Sequence, residues 1–257
     1  MAFSQLVVFD FDWSFADQDT DRWVLEVLAP DLRRSSKNLK AAAKSDEDLQ
    51  WTDHMTAMLT ELHKRGKTRQ EIEESLQVMP FHPAMARAVR FLKETKNPDT
   101  TFLCLSNSNS VYISTILEKH GLTDIFTEII TNPAEWTPEG LLKIRRRVDP
   151  NGPQHTCKIG CSPNMCKGEE LEAFITRSPK KFDRLVYVGD GSNDFCPILR
   201  MGRLVSSDIA YVRRYRGLEA RIKKETEVGR VKVQVKPWAG AWEMEEHFHE
   251  LAKNLPS

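Results

Sequence analysis

The sequence predicts an α/β fold: a doubly wound, mainly parallel, Rossmann-like sheet core carrying an inserted all-helical segment. Three observations carry that expectation. Short apolar runs at residues 5–9, 101–105 and 184–188 lack clean alternation, as strands buried on both faces do. Helical periodicities separate the later runs, which argues for parallel βαβ units. From residue 17 to residue 98 the pattern is helical, so a long insertion separates the first strand from the second.

Each element has its own local reason. The first run ends in Asp10-Phe11-Asp12. Within the helical stretch, an early helix should hold Trp23, Val27 and Leu28. Residues 46–65 place Trp51, Met55, Met58 and Leu62 on one face as core, and Gly66 suits the end of that helix. Thr68 and Glu71 are spaced as a capping box for the next helix. Pro83 stands where a first helical turn tolerates proline, ahead of Met85, Val89 and Leu92. After the strand at 101–105 come a helix at 108–120, closed by Gly121, and a strand at 125–131. The strand at 184–188 runs directly into Gly189-Asp190-Gly191. A short helix at 194–201, weaker strands near Ile209 and at 231–235, and a helix at 240–255 complete the pattern.

Composition narrows the function classes. The 257 residues carry 37 basic and 37 acidic side chains, so no global field exists for gripping nucleic acid or an anionic membrane. Apolar residues at 40% suffice for a packed core, and 29% charged residues suit an ordinary solvated surface. No run approaches the roughly 20 apolar residues that span a bilayer. The first twelve residues lack the basic segment of a secretory signal. The five cysteines are therefore expected as reduced thiols in a cytoplasmic protein.

Four polar sites fall at or near strand ends: Asp10 with Asp12, Ser106 with Asn107, Lys167, and Gly189 to Asp194. Singly, each has an ordinary structural explanation as a turn, a helix start or a solvated charge. Jointly they form a chemical set. Asp10, Asp12, Asp190 and Asp194 gathered at one sheet edge would repel one another and call for a cation. Hard oxygen ligands in an incomplete cage point to Mg²⁺. Lys167 and Ser106 are suited to hold phosphate oxygens. One carboxylate can then attack phosphorus while another moves the proton.

Asp10-Phe-Asp-Trp-Ser14, Ser106, Lys167 and Gly189-Asp-Gly-Ser-Asn-Asp194 resemble, in order, the four motifs of the haloacid dehalogenase superfamily of phosphatases. Asp17 to Trp23, Cys161-Ser-Pro-Asn-Met-Cys-Lys-Gly168 and the run Gly189 to Pro197 narrow the resemblance. They are similar to the phosphoethanolamine/phosphocholine phosphatases, a subfamily that includes pyridoxal-phosphate phosphatases and plant relatives. The resemblance covers essentially the whole chain. It implies a phosphomonoesterase acting on a small phosphorylated metabolite, with Asp10 as nucleophile and Asp12 as general acid and base. It implies Mg²⁺ held by Asp10, the Asp12 backbone carbonyl and Asp190, with Asp194 behind them holding a metal-bound water or Lys167. Ser106, Asn107 and Lys167 would face the substrate. Residues 17–98 would form a C1-type cap over a core of residues 1–16 and 99–257.

The chain departs from the family pattern at two positions. Ser14 stands where Thr is usual and keeps the hydroxyl. Relatives that accept cationic amine head groups tend to carry Asp where this chain has Asn107, which removes one negative charge facing the substrate. Asp17, Asp19 and Asp21 are available to meet a cation, or equally to start a helix. Candidate substrates are phosphocholine, phosphoethanolamine, pyridoxal phosphate, a thiamine or nucleotide monophosphate, and pyrophosphate.

Two other functional classes compete. A receiver-like signalling protein also uses Asp, Ser/Thr and Lys on such a sheet, but at about half this length and without a helical insertion. A zinc-stabilised interaction module would use Cys157, Cys161 and Cys166 with His155. Their gaps differ from paired knuckles, and the favoured reading is a tight loop that presents Lys167 and packs its thiols. Arg145 to Arg147 and Arg213-Arg214 are expected as solvated faces, His247 and His249 as a poor metal pair, and Trp136, Trp238 and Trp242 as packing.

Overall fold

The computed structural model describes residues 3–42, 50–201 and 207–255. Six parallel strands form the sheet: β1 (Ser4–Phe9), β2 (Asp99–Asn109), β3 (Glu128–Asn132), β6 (Arg184–Gly189), β7 (Ile209–Arg213) and β8 (Gln234–Trp238). Their order is β3-β2-β1-β6-β7-β8, so β1 is central and the chain reverses its direction of growth beside it. A small antiparallel hairpin, β4 (Ala134–Trp136) and β5 (Leu142–Ile144), stands apart from the sheet. The register sets Phe9 opposite Cys104 on one side and Val188 on the other, so three strand ends come level. That level edge is where an open α/β sheet binds ligands.

Two apolar layers sandwich the sheet because strand residues alternate in direction. Val7 and Phe9 face one layer, with α5 (Pro83–Glu94), α6 (Ser110–Lys119) and α10 (Ala241–Lys253). Leu6 and Val8 face the other, with α7 (Lys167–Arg177), α8 (Phe195–Met201) and α9 (Gly217–Glu227). Phe9 is the hub of the first layer, in edge contact with Phe15 at 5.2 Å and Phe248 at 5.8 Å between ring centroids.

Between β1 and β2 the chain is helical, as expected: α1 (Thr20–Leu28), α2 (Pro30–Ala42), α3 (Trp51–Lys64), α4 (Arg69–Gln77) and α5. The capping box at Thr68 forms in both directions, and Pro83 opens α5. Residues 46–49 of the helix expected at 46–65 lie outside the described residues. The last helix, α5, packs its Met85, Val89 and Leu92 into the layer that holds α10. Among the described residues, no helix is long and apolar enough to cross a membrane.

Several local expectations need correction. The second strand does not stop at residue 105. It continues to Asn109 through an irregular register step, and α6 starts at Ser110. Polar residues continue this strand because its groups find partners: the Ser108 amide donates to Ser106 Oγ at 3.1 Å, and Asn132 Nδ2 donates to the Asn107 carbonyl at 2.7 Å. Helices α7 and α9 and the β4–β5 hairpin were not anticipated. The last strand lies three residues later than expected. Trp238 is fully buried, but Trp242 is 53% exposed and Val27 45% exposed, so neither is core. Arg146 and Arg147 are tied to Asp53 and Glu170 rather than merely solvated.

Candidate active site

The site begins where β1 ends. The Asp10 amide still donates to the Val188 carbonyl at 2.9 Å, so the sheet holds this residue at the boundary. Its Oδ1 accepts from the Phe11 amide at 2.7 Å. A single wide turn over Phe11–Phe15 follows, closed by the Ala16 amide on the Phe11 carbonyl at 2.9 Å. Trp13 takes φ of +58°, a left-handed conformation that costs a side-chain-bearing residue energy unless its surroundings enforce it. Here its amide donates to the Gln18 carbonyl at 3.1 Å, Arg213 donates to its carbonyl, and the Arg216 guanidinium sits 3.7 Å over its ring centroid. The turn aims Asp12 toward the start of α1, where it accepts from the Thr20 amide at 3.1 Å and from Thr20 Oγ1 at 3.3 Å.

Lys167 opens α7 and is 1% exposed. Its Nζ lies 2.9 Å from Asp10 Oδ1 and 2.7 Å from Asp194 Oδ1. Asp194 is completely enclosed. Its Oδ1 also accepts from the Tyr187 hydroxyl at 2.7 Å, and its Oδ2 accepts from the Asp190 and Gly191 amides at 3.1 and 3.0 Å. Asp194 thus shapes the loop after β6. Gly189 is required there, since a Cβ at that position would stand 2.7 Å from Asp194 Oδ2.

The carboxylates of Asp10, Asp190 and Asp194 converge, with one oxygen from each within 4.8 Å of the others. The side chain of Asp12 is outside that group, engaged with Thr20. Burial, then the neighbouring Asp194, pushes Asp10 up to about 7 despite the opposing effect of Lys167. Burial, then Asp10 and Asp194, pushes Asp190 up to about 8. Asp12 is held well above the usual carboxylate range by burial and by Asp19 and Asp21. Burial alone would lower the Lys167 ammonium, but Asp10 and Asp194 outweigh it and raise it. Three enclosed carboxylates against one ammonium leave an excess of negative charge, and their oxygens are the donors that a hard divalent cation takes.

Above this floor lies a cavity of about 420 Å³. Asp10, Asp12, Asp190, Ser106, Asn107 and Asp21 all line it, while Lys167 and Asp194 form buried support beneath. Asp17 does not line it. Its carboxylate accepts from the His82 amide and from Arg213, joining the start of α5 to the end of β7. Its expected role toward a substrate cation therefore lacks geometric support. Asn107 Oδ1 accepts from Asn193 Nδ2 at 3.0 Å.

Other residues in and around the cavity take places that differ from those expected or that the sequence did not mark. Trp51, expected as core, lines the cavity and donates to Asp21 at 2.7 Å. Arg22 and Arg216 bring positive charge to the wall. Arg213, expected as solvated, is pinned between the rings of Trp13 and Trp238. Asn164 bridges the core to the helical insertion: its Nδ2 donates to Thr52 Oγ1 at 3.0 Å and to Asn132 Oδ1 at 2.9 Å. A signal existed for Asn164, inside the Asn-Met-Cys-Lys string. For Arg216 and Trp51 the sequence held none, since their places depend on contacts far along the chain.

Residues 5–252 match the family described as "Putative Phosphatase". The chain is 34% identical over 197 residues to inorganic pyrophosphatase 1 of Arabidopsis thaliana, covering 75% of this chain and 62% of that protein, so the match spans less than two thirds of its length. It is 31% identical over 212 residues to pyridoxal phosphate phosphatase PHOSPHO2 of Bos taurus, covering 81% of this chain and 82% of that protein. Among solved structures, a haloacid dehalogenase family hydrolase from Salmonella enterica serovar Typhi shares the fold, with a TM-score of 0.58 at 13% identity over 86% of this chain and 71% of that one.

Proposed function

The chain belongs to this family of haloacid dehalogenase phosphatases, and on that premise we propose that it hydrolyses small phosphorylated metabolites through an aspartyl-phosphate formed on Asp10. The observation that carries the reading is Asp10 at a central strand end, 2.9 Å from buried Lys167 and opening into the cavity. In the first step an Asp10 oxygen bonds to phosphorus and the ester oxygen departs, taking a proton from Asp12. The raised affinity of Asp12 for its proton suits it to that donation. In the second step Asp12 takes a proton from water, the water oxygen bonds to phosphorus, and the Asp10–phosphorus bond breaks. Lys167 and the Ser106 hydroxyl hold the phosphoryl oxygens.

Mg²⁺, when bound, would be held by Asp10, Asp190 and the Asp12 backbone carbonyl, and would offset repulsion between an anionic nucleophile and an anionic phosphate. Asp194, whose oxygens are engaged with Lys167, Tyr187 and two amides, supports these ligands. Helices α1 to α4 act as the cap, with α1 and α3 supplying the wall that faces Asp10, while α5, expected as cap, packs with α10 against the core sheet.

Metal and pH should then be linked. Asp10 and Asp190 bind protons more tightly folded than unfolded, so metal-free stability falls as pH rises from about 5 to about 8. Millimolar Mg²⁺ should raise the Tm, and more at about pH 8 than at about pH 5.5, where protons compete with the metal. Thermal melts at the two pH values read this directly, and a Mg²⁺ shift independent of pH would contradict it.

The walls favour a substrate without an aliphatic ammonium group. Asn107 is neutral, Asp19 is paired with Arg22, and Arg22 and Arg216 set two cations on the wall against the Asp19 and Asp21 carboxylates. Pyridoxal phosphate and pyrophosphate, the substrates in the relatives' names, both lack such a group. With Mg²⁺ present, kcat/KM for these two should exceed that for phosphocholine and phosphoethanolamine by at least about tenfold. Asn107→Asp should narrow that ratio by restoring the charge. Preference for the cationic esters by the unaltered protein would overturn the head-group assignment.

A further inference from the structure

A second ligand-like cluster stands behind Lys167. Cys157 and Cys161 come from the loop between β5 and α7, Cys166 immediately precedes α7, and Cys196 sits in the first turn of α8. All four sulfur atoms lie within 4.8 Å of one another. Cys157 is 3.6 Å from Cys161 and 3.5 Å from Cys196, and Cys166 is 3.7 Å from Cys196. All four are free thiols. Four zinc–sulfur bonds of about 2.3 Å place tetrahedral sulfurs about 3.8 Å apart. The observed spacing is that of a nearly formed thiolate tetrahedron.

We propose that Cys157, Cys161, Cys166 and Cys196 bind one Zn²⁺ in a closed structural site, separate from the carboxylate cluster. Packing alone gives four sulfurs no reason to converge on one point, since a buried thiol behaves as a small hydrophobe and a weak donor. The surrounding groups fit anionic sulfur. The Ile159 amide donates to Cys157 Sγ at 3.5 Å, and Gly160, at φ of +86°, turns the chain so that Cys161 comes back beside Cys157. Arg200 Nη2 lies 3.9 Å from Cys166 Sγ, a cation beside a set whose four thiolates and one Zn²⁺ would total two negative charges. His155 lies outside the converging set, and its Nε2 is engaged with the Ser162 carbonyl at 2.7 Å.

Soft thiolates select Zn²⁺ over hard Mg²⁺, and four protein ligands leave no open position for water or substrate. The role is therefore positional. Cys166 adjoins Lys167, and Cys196 follows Asp194 by two residues. The ion joins the starts of α7 and α8 and so sets the distance between the partners of the 2.7 Å Lys167–Asp194 pair. The close approach of these helices at Gly168, where a Cβ would stand 2.6 Å from Cys196 Sγ, leaves the clamp little slack.

The test is elemental analysis of the full chain after dialysis against a chelator. About one zinc per chain should remain. Cys161→Ser and Cys196→Ser should each lose it, and Asp190→Asn should keep it. Cobalt exchanged into the unaltered protein should give a thiolate-to-cobalt charge-transfer absorption, a readout that stands even if the cysteine variants fail to fold. Four reactive thiols with no zinc, disulfides among these cysteines, iron in place of zinc, or zinc lost only in Asp190→Asn would each overturn the proposal.

Discussion

Replacing Asp10 with Asn should lower kcat by at least about a thousandfold while leaving the protein folded. The amide keeps the size of the carboxylate and can still accept from the Phe11 amide, which Asp10 does at 2.7 Å. Lys167 keeps its second partner, Asp194, at 2.7 Å. What disappears is the oxygen able to attack phosphorus at the strand end. The substitution also removes one of three converging buried carboxylates, so Asp190, raised first by burial and then by Asp10, is partly relieved. The Tm of the metal-free variant should hold or rise at about pH 8, where Asp10 is most costly. Steady-state kinetics beside a thermal melt checks both halves. Near-full activity in a folded variant would remove Asp10 from the chemistry.

Lys167→Met should be the most destabilising single change at the site. Lys167 is the cation within reach of both Asp10 and Asp194, at 2.9 and 2.7 Å, and it is buried. Removing one partner of a buried ion pair leaves charge without compensation, at a cost of about 3–5 kcal/mol. For a chain of this size that corresponds to a Tm loss of roughly 10 °C. The deficit should be larger at about pH 8 than at about pH 5.5, because protonation of Asp10 relieves the stranded charge at the lower pH. Activity should fall with it, since Lys167 is also proposed to hold the phosphoryl group. Equal melting of variant and parent at both pH values would show that the carboxylates need no fixed cation.

Strand ends explain what was legible in the sequence. Asp10, Asp12, Asp190 and Ser106 each break an apolar run, and a parallel sheet brings such breaks to one edge. Lys167, expected near a strand end, instead opens α7, and only its burial beside Asp10 and Asp194 brings it to the same edge. The strand through Ser106 and Asn107 outruns its apolar stretch because its polar last residues find partners, Asn132 and Asn193, that are distant in sequence. Helix α7 carries no start signal in the sequence, because the residue before it, Cys166, is not a capping type and makes no side-chain cap bond. Asp17 looked available beside Asp19 and Asp21, yet Arg213, nearly two hundred positions on, engages its carboxylate. Cys196 joins the other three thiols only through the fold, thirty positions beyond Cys166 in the chain. Helix α7 apart, the deciding contact is long-range, which local periodicity does not encode.

The central claim is that phosphorus passes through Asp10. It is tested most directly by acid-quenching turnover and mapping the labelled peptide by mass spectrometry. Asp12→Asn, which lacks the base proposed to deprotonate water, should accumulate the intermediate from an aryl phosphate whose leaving group departs without a proton. A phosphoryl group on Asp10 that forms within one turnover and then decays to free phosphate is the expected result. A phosphoryl group on another residue, or turnover with none on Asp10, would contradict the account.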